Sequence, residues 1–190
     1  AGQFAFVRFD RDEGAHPYTI SSAWRDDGRI RFHIKALGDY TARLPALLRA
    51  GGEVTVEGPY GKFDFDDPAR RQIWVAGGVG ITPFIACLQA RADRGTPVPP
   101  ADLFYSTDTP DGPFMEALRD SAVAAGVKLH VTPPDAPRLD ADRICRAVPG
   151  WRDASLWFCG PAGFGRMLRR AFANRGLSAG RFHQELFAMR

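Results

Sequence analysis

The pattern of hydrophobic and polar residues changes near residue 70. Before that point, short segments rich in aromatic and β-branched residues are separated by Gly and Asp turns, as in antiparallel strands. One helical segment at 40–50 interrupts them. The predicted strands are 3–9, 18–23, 30–36 and 53–57.

Short apolar segments alternate with segments of helical periodicity from residue 72 onward. Alternation of this kind predicts a parallel sheet covered by helices. The strands are expected at 73–76, 102–106, 128–132 and 156–159, and the helices that follow them at 83–94, 114–125, 141–148 and 162–175.

The two patterns together predict an all-β unit followed by an α/β unit. A polar segment at 64–71, which contains Pro68, separates them. We therefore expect a small antiparallel barrel domain at 1–68 and a parallel-sheet nucleotide-binding domain at 72–190.

Composition narrows the classes of function. The net charge of +3 comes from Lys and Arg scattered among Asp and Glu, which argues against a nucleic-acid partner. The three cysteines, Cys87, Cys145 and Cys159, lack the paired spacing of a zinc, iron–sulfur or disulfide site, and this favours a reducing compartment without a bound metal. No apolar run approaches the roughly 20 residues of a membrane-spanning helix.

The first candidate for chemistry is the segment His16-Pro17-Tyr18-Thr19. Proline stiffens the start of a strand that presents an aromatic and a hydroxyl side by side. A flavin benefits from this pair, because the aromatic can face the isoalloxazine ring and the hydroxyl can donate a hydrogen bond near N5. Taken alone, the same residues are more typical of an ordinary strand.

The second candidate is a helix start at Gly38-Asp39-Tyr40-Thr41. Thr41 can cap the helix, and the amides of a helix start suit a pyrophosphate, with Lys35 nearby in the sequence. Capping alone explains the segment equally well.

The third candidate is a glycine turn between a strand and a helix, with the sequence VAGGVGITP at 75–83. Glycines let the backbone approach the phosphates of a dinucleotide, and the start of the helix favours their charge. The spacing differs from G-x-G-x-x-G, which disfavours an ordinary Rossmann dehydrogenase. A purely structural tight turn is the alternative.

Two further candidates lie at the ends of strands. Cys159 closes the apolar strand at 156–159 and is followed by Gly160 and Pro161, which places a thiol at the ligand-binding edge of the sheet. A lone buried Cys is more often structural. Phe187, in the tail, can fold back over a ligand, or the tail can form a closing edge strand.

Taken in order, these motifs resemble the ferredoxin–NADP reductase superfamily along nearly the whole chain. The likeness is to its ferric reductase and NADPH oxidase branch, where the flavin motif begins with His and the soluble reductases have Arg. His16 follows that branch, as do FHIK at 32–35, GDYT at 38–41 and EGPYG at 57–61.

The resemblance implies roles on the flavin side of a shared cleft. Tyr18 would stack on the isoalloxazine ring of FAD, and Thr19 would lie near N5. The ribityl phosphate and pyrophosphate would be served by His16, Lys35 and Thr41, with Pro17, Ile34 and Gly38 as further cofactor-binding positions.

On the donor side, the resemblance implies a site for NADPH or NADH. Cys159 and Glu185 would flank the nicotinamide, and Phe187 would cover the flavin face and move aside for the nicotinamide. With Thr19 these three form the expected catalytic set. The dinucleotide would be held by Gly77, Gly78, Gly80, Ile81, Thr82, Pro83, Tyr105, Ser106, Gly160 and Pro161.

The implied function is hydride transfer from NAD(P)H to FAD, followed by one-electron transfer to a haem or metal acceptor. The resemblance implies a haem-containing transmembrane domain, in the same or another chain, and a location on the cytoplasmic side of the membrane. A soluble ferredoxin or flavin reductase is the first alternative. A redox-inactive nucleotide-binding module is the second, and a sensor of that kind would need none of Thr19, Cys159 and Glu185.

The chain departs from the family pattern at its two ends. Family barrels have two strands ahead of residue 2, and the chain opens at Ala1 without Met. We therefore expect a piece of a longer protein, with a barrel that lacks its first strands and has an open edge. Residues 188–190 extend beyond the aromatic that ends several family members.

A third departure concerns the choice of nucleotide. The strand that ends at Ser106 is followed by Thr107 and Asp108. An Asp repels a 2′-phosphate but accepts a hydrogen bond from a ribose 2′-hydroxyl, which favours NADH or weak discrimination. Arg138 and Arg143 are the alternative partners for a 2′-phosphate.

Overall fold

The structure, a computed structural model, describes residues 1–10, 13–94 and 98–185. The first part of the chain forms an antiparallel three-stranded sheet in the order β2-β1-β3. Its strands are β1 (Phe4–Arg8), β2 (His16–Thr19) and β3 (Thr55–Tyr60), and helix α1 (Asp39–Leu47) lies between β2 and β3 in the sequence.

The second part forms a parallel five-stranded sheet in the order β6-β5-β4-β7-β8. The strands are β4 (Arg71–Gly77), β5 (Ala101–Ser106), β6 (Val127–Thr132), β7 (Ala154–Cys159) and β8 (Phe182–Glu185). The helices are α2 (Thr82–Asp93), α3 (Gly112–Ala124), α4 (Ala141–Ala147) and α5 (Ala162–Asn174). The predicted fold class, a small antiparallel unit followed by a parallel-sheet unit, is confirmed.

Alternating side chains along β4 build two hydrophobic layers, one on each face of the parallel sheet. Trp74 packs with α2 and α3 on one face, and Ile73 and Val75 pack with α4 and α5 on the other. Because β4 is covered on both faces, six of its seven residues are buried, as in a central strand of a doubly covered sheet. The sequence pattern of short apolar segments follows from this double coverage.

The connection between β3 and β4, residues 61–70, packs the antiparallel unit onto the parallel sheet. The rings of Phe63 and Phe65 lie 5.2 Å and 5.0 Å from that of Trp157 in β7. Phe65 has a φ of 61°, a left-handed conformation that is unusual for a bulky residue. Its ring is buried, and its carbonyl accepts a hydrogen bond of 3.0 Å from Gln72 Nε2. Surrounding contacts therefore hold this connection in one strained conformation.

The strand predicted at 30–36 is wrong. Within the described residues this segment makes one isolated bridge, between Ile20 and Phe32. Side-chain hydroxyls join the backbone contact at Arg31: the amide and Oγ of Ser21 both donate to its carbonyl, at 2.8 Å and 3.0 Å, and Ser22 Oγ accepts from its amide at 3.0 Å. Hydroxyls that bond to the backbone compete with a regular ladder, which explains why an extended segment does not become a strand.

Some element ends also differ from the predictions. β2 begins at His16 and ends at Thr19, where the pattern predicts a strand at 18–23. β3 runs from Thr55 to Tyr60, where the pattern predicts 53–57, and all six of its residues are exposed. In the described ranges, no helix combines the length and the apolar character needed to cross a bilayer.

Candidate functional site

A cleft of about 780 Å³ lies between the antiparallel unit and the parallel sheet. This volume falls within the range of small-molecule and cofactor sites. Its walls come from β1, β2, the segment 33–41, the turn after β4 and the end of β8. The lining residues are Phe4, Phe6, His16, Pro17, Tyr18, Thr19, His33, Ile34, Lys35, Leu37, Gly38, Asp39, Tyr40, Thr41, Val79, Gly80, Thr82 and Glu185.

Tyr18 and Thr19 stand side by side on the wall formed by β2. Thr19 is buried and Tyr18 is half-buried, with its ring 5.8 Å from that of Phe9. The buried Tyr18 hydroxyl has no hydrogen-bond partner among the described residues. Burial raises the pKa of Tyr18, with smaller contributions from Tyr40 and Glu13, so the phenol keeps its proton. A buried donor without a protein partner fits a site for a polar ligand.

His16 stacks on Tyr40, the second residue of α1. Their ring centroids lie 4.6 Å apart with the planes inclined by 23°. The Nε2 atom of His16 also lies 3.4 Å from a carboxylate oxygen of Glu13. The start of α1 therefore fixes the imidazole at the edge of the cleft.

The hydroxyl of Thr41 is fully engaged in capping α1. It accepts hydrogen bonds from the amides of Leu37 and Gly38, at 3.0 Å and 3.1 Å, and donates to the carbonyl of Gly38 at 3.0 Å. The alternative explanation of this motif, in which Thr41 caps the helix, therefore describes what the chain does. Thr41 shapes the cleft by fixing the loop around Gly38, and its hydroxyl is already hydrogen-bonded on both the donor and acceptor sides.

The segment 33–35 reaches across the cleft to the parallel sheet. The ammonium group of Lys35 donates to Thr109 Oγ1 at 3.3 Å, and the ring of His33 meets that of Phe114 edge-on at 6.0 Å. His33 Nδ1 lies 2.7 Å from Ser21 Oγ. Burial, and secondarily the charge of Arg31, lower the pKa of His33, so its imidazole favours the neutral state. Of the two basic side chains of this segment that line the cleft, Lys35 is therefore the one that carries positive charge.

The glycine turn after β4 forms the opposite wall. β4 ends at Gly77, a short 3-10 helix covers Gly78–Ile81, and α2 begins at Thr82 with Pro83 in its first turn. A Cβ atom on Gly80 would overlap the carbonyl of Cys159, and one on Gly160 would lie 3.0 Å from the backbone nitrogen of Gly77. The two turns can pack backbone to backbone only because these positions are glycine.

The ends of the parallel strands align at one edge of the sheet. Ser106 pairs in register with Gly77, and Cys159 pairs with Ala76 on one side and with Glu185 on the other. Only Glu185 of this set lines the cleft, and Cys159 is fully buried behind it. Open α/β sheets bind ligands at this carboxyl edge.

The surroundings of Cys159 and Glu185 disfavour the ionised form of each group. Burial, and secondarily the Glu185 carboxylate, raise the pKa of the Cys159 thiol to about 12. Burial also raises the pKa of Glu185. At neutral pH the thiol is therefore neutral, a weak hydrogen-bond donor and a poor nucleophile.

Comparison with known proteins agrees with this geometry. The FAD-binding domain family matches residues 1–64. The chain is 31% identical over 182 residues to an NADPH oxidoreductase of Mycobacterium tuberculosis, covering 90% of the chain and 47% of that protein. It is 32% identical over 176 residues to a vanillate O-demethylase oxidoreductase of Pseudomonas sp. (strain HR199), covering 88% of the chain and 54% of that protein. The chain thus spans about half the length of the curated relatives it matches.

Solved structures share the architecture. The FAD/NAD-binding domain of nitric oxide dioxygenase from Vibrio cholerae superposes with a TM-score of 0.78 at 19% identity, over 98% of this chain and 84% of that one. A ferredoxin–NADP⁺ reductase of Plasmodium falciparum superposes with a TM-score of 0.72 at 16% identity, over 98% and 82%. The chain therefore shares the fold of these two proteins, a small antiparallel unit followed by a parallel sheet. The cleft lies where the unit that matches the FAD-binding family meets the parallel sheet.

Most residues predicted for the flavin side of this reductase fold do line the cleft. They are His16, Pro17, Tyr18, Thr19, Ile34, Lys35, Gly38 and Thr41. The donor side is less complete, because only Gly80, Thr82 and Glu185 reach the cleft. The other described residues predicted for this side do not line the cleft: Gly77, Gly78, Ile81, Pro83, Tyr105, Ser106, Cys159, Gly160 and Pro161. Phe187 lies outside the described residues.

Several lining residues were not predicted from the sequence. Phe4 and Phe6 alternate on β1, and this period of two was a detectable signal for one face of a strand. Tyr40 was visible in the helix-start motif, but its stacking on His16 depends on the tertiary fold. His33 and Val79 adjoin predicted residues, and nothing in their local pattern marks them.

The residues of this cleft fit FAD. They offer an aromatic ring and a buried hydroxyl on β2, an unpartnered phenol, and the cation Lys35 on the same wall. A flavin dinucleotide requires an aromatic surface, hydrogen-bond donors and positive charge for its diphosphate.

Proposed function

We propose that this chain is the FAD- and NAD(P)H-binding part of an electron-transfer reductase that serves a separate redox protein. Residues 1–68 carry the flavin and residues 72–190 carry the nicotinamide dinucleotide. The observation that supports this most is the single cleft in which Tyr18 and Thr19 face Gly80, Thr82 and Glu185. FAD, when bound, accepts a hydride from NAD(P)H and gives up the electrons one at a time.

The flavin wall orients the cofactor. Tyr18 supplies a flat face for the isoalloxazine ring, and the buried Thr19 hydroxyl donates a hydrogen bond at its polar edge. Lys35 supplies positive charge for the diphosphate, and His16, held by its stack on Tyr40, adds an imidazole to the same wall. Thr41 acts indirectly, because its hydroxyl fixes the loop that carries Gly38.

The wall formed by the glycine turn after β4 lets the nicotinamide dinucleotide approach the backbone closely. Gly80 lines the cleft at the end of the turn that begins with Gly77 and Gly78, and α2 begins directly after this turn. The start of a helix favours the negative charge of a diphosphate. This wall thereby sets the depth to which the nicotinamide enters the cleft.

Glu185 holds the nicotinamide in the position needed for hydride transfer. Its carboxyl group lines the cleft, and its raised pKa makes it a group that can donate or accept at the carboxamide. The neutral Cys159 thiol packs behind it and keeps water from that edge. Alignment of the two reacting rings is the main contribution of a protein to this chemistry.

Asp108 favours NADH over NADPH. It is exposed just beyond the end of β5, and the neighbouring Thr107 is buried with its hydroxyl accepting from the amide of Thr109. Arg143, one alternative partner for a 2′-phosphate, uses its guanidinium to donate to the carbonyl of Pro137. A carboxylate repels a 2′-phosphate and accepts from a 2′-hydroxyl.

The names of the relatives support an acceptor that is a separate protein of an oxygenase or demethylase system. Purified chain supplied with FAD should oxidise NADH in the presence of an artificial one-electron acceptor. Thr19→Ala should reduce turnover by about 10-fold, as expected for the loss of one hydrogen bond at the reacting edge. Thr55→Ala, on exposed β3, is the matched control and should leave turnover unchanged. Oxidation no faster than with free FAD would contradict the proposal.

A second candidate is the dehydrogenase part of a ferric reductase or NADPH oxidase-like protein. Its position would be the cytoplasmic face of a membrane, and its acceptor a haem in a transmembrane domain of the same or another chain. His16 favours this candidate, because the resemblance to that branch rests on His at this position. Comparing the rate of reduction of a plant-type ferredoxin with that of a b-type haem protein distinguishes the two.

A further inference from the structure

The side chain of His183 links the last described strand to the connection between β3 and β4. Its Nε2 atom lies 3.1 Å from Asp67 Oδ2, although 116 positions separate the two residues in the sequence. Both side chains are largely buried, with 27% of the imidazole and 12% of the carboxylate exposed. The contact therefore lies within packed side chains and is little exposed to competing water.

Each member of this pair is itself held in place. The His183 ring lies flat on that of the buried Trp157, with centroids 3.9 Å apart and planes inclined by 15°. The other carboxylate oxygen of Asp67 accepts from the amide of Ala69 at 2.7 Å. The hydrogen bond therefore joins two side chains that other contacts already hold. His183 is left with few alternative rotamers.

Glu185 is two residues beyond His183 on the same face of β8. Successive side chains of a strand alternate between faces, so residues 183 and 185 point the same way. In register, His183 lies opposite Trp157, and Glu185 lies opposite Cys159. Whatever fixes the position of His183 therefore also fixes where the Glu185 carboxyl group enters the cleft.

Strand β8 needs such an anchor because it is the edge strand of the sheet. It spans Phe182–Glu185, and among the described strands it pairs with β7 alone. At its far end, Glu185 lies against the backbone after β3: a Cβ atom on Gly61 would be 3.4 Å from Glu185 Oε1. Edge strands with four paired residues fray readily unless side chains hold them.

We infer that His183 and Asp67 are positioning residues for hydride transfer: their pair holds β8 so that Glu185 meets the nicotinamide. The inference rests on the proposed function, in which Glu185 contacts the donor. Neither His183 nor Asp67 lines the cleft, although His183 shares a smaller adjoining pocket with Glu185. Their effect passes through the position of one carboxyl group.

The test measures the effect of His183→Phe in the parent chain and in a chain that also carries Glu185→Gln. Phe keeps a ring that can stack on Trp157 and removes the hydrogen bond to Asp67. Saturating NADH and FAD are mixed with the chain without oxygen, and the rate of flavin reduction is measured. His183→Phe should lower this rate by about 10-fold in the parent chain, the effect of losing roughly one charge-assisted hydrogen bond. In the Glu185→Gln chain it should change the rate by less than about 2-fold, since residues that act as a unit are not additive.

Two further variants define the role of the pair. Asp67→Asn keeps one acceptor oxygen where the parent uses two, for His183 and for the Ala69 amide, and should lower the rate by less than His183→Phe does. Asp64→Ala removes a comparable turn contact, to the amide of Asp66, from the same connection without touching β8. It should leave the rate unchanged. An equal loss with His183→Phe in both backgrounds, or no loss in either, would overturn the inference.

Amide hydrogen exchange provides a readout that does not depend on activity. His183→Phe should speed exchange in β8 relative to β7, and unchanged exchange at 182–185 would overturn the inference. Failure of the proposed function gives a different result. In that case the parent chain does not reduce FAD with NADH, or Glu185→Gln reduces it at the parent rate.

Discussion

Cys159 and Glu185 lie directly opposite each other on neighbouring parallel strands, at the edge of the sheet where the cleft opens. The thiol is fully buried, and the half-buried carboxyl group lines the cleft. Burial raises the pKa of both groups. The thiol is therefore neutral near pH 7, and ionisation of the carboxyl group is disfavoured relative to an exposed Glu.

Replacing Glu185 with Gln should flatten the pH dependence of stability. Because the pKa of Glu185 is raised in the folded state, its stabilising effect is fully present below the ordinary value of 4.5 and is lost as the pH rises through the raised value. Gln is neutral throughout. The free energy of unfolding, measured with denaturant between about pH 4 and 7, should fall less steeply in the variant.

The matched control for this titration is Glu53→Gln. Glu53 is exposed, and its replacement should leave the pH slope of the parent chain in place. Identical slopes for Glu185→Gln and the parent would show that burial does not shift the carboxyl group.

Thiol reagents should separate the three cysteines. Burial raises the pKa of Cys159 and of Cys87 to about 12, so almost no thiolate exists on either near neutral pH. Cys145 is only half-buried. Iodoacetamide followed by mass spectrometry should label Cys145 first and leave Cys159 unmodified in the folded chain.

Unfolding is the control for this experiment. In denaturant all three cysteines should react at similar rates. Rapid labelling of Cys159 in the folded chain would contradict both its burial and its role as a neutral thiol.

Gly80→Ala should disturb the donor side of the cleft. Its Cβ atom would overlap the carbonyl of Cys159, a backbone atom that cannot move without shifting β7. We expect a loss of more than about 1 kcal/mol in the free energy of unfolding and weaker binding of NADH. Gly112→Ala is the control, because a Cβ atom there meets nothing within 4 Å. Equal stability and equal NADH affinity in both variants would refute the close approach of the two turns.

Asp108→Ser should increase the use of NADPH. Removing the carboxylate removes repulsion of a 2′-phosphate, and Ser keeps a group that hydrogen-bonds either nucleotide. The ratio of kcat/KM for NADPH over NADH should rise by about 10-fold, the equivalent of about 1.4 kcal/mol. Asp120→Ser, an exposed position on α3, should leave the ratio unchanged. A ratio that does not respond to Asp108 would place nucleotide selection elsewhere.

The elements of the parallel sheet were predictable because each strand is covered on both faces. Because both of their faces are covered, β4, β5 and β7 are short apolar segments of the sequence. N-cap residues such as Asp111 and Asp140 mark where the helices between them begin. The segment 30–36 was not predictable, because its pattern is that of a strand while the hydroxyls of Ser21 and Ser22 bond to the backbone of Arg31 and compete with a regular ladder.

The flavin side of the site was easier to predict than the donor side. Tyr18 and Thr19 lie on one strand, so a local motif places both in the cleft. The position of Cys159 depends on Gly80 and Glu185, which pack against it from distant parts of the chain. Its burial behind Glu185 is a tertiary property that no local sequence pattern contains.

The central claim is that FAD and the nicotinamide dinucleotide meet in this one cleft. Its most direct test is the rate at which NADH reduces FAD under anaerobic, single-turnover conditions, with the parent chain and with Thr19→Ala and Glu185→Gln. The account predicts fast reduction by the parent chain, slowed by about 10-fold or more in each variant. Reduction of FAD at the rate seen without protein, or at one rate in all three chains, would contradict it.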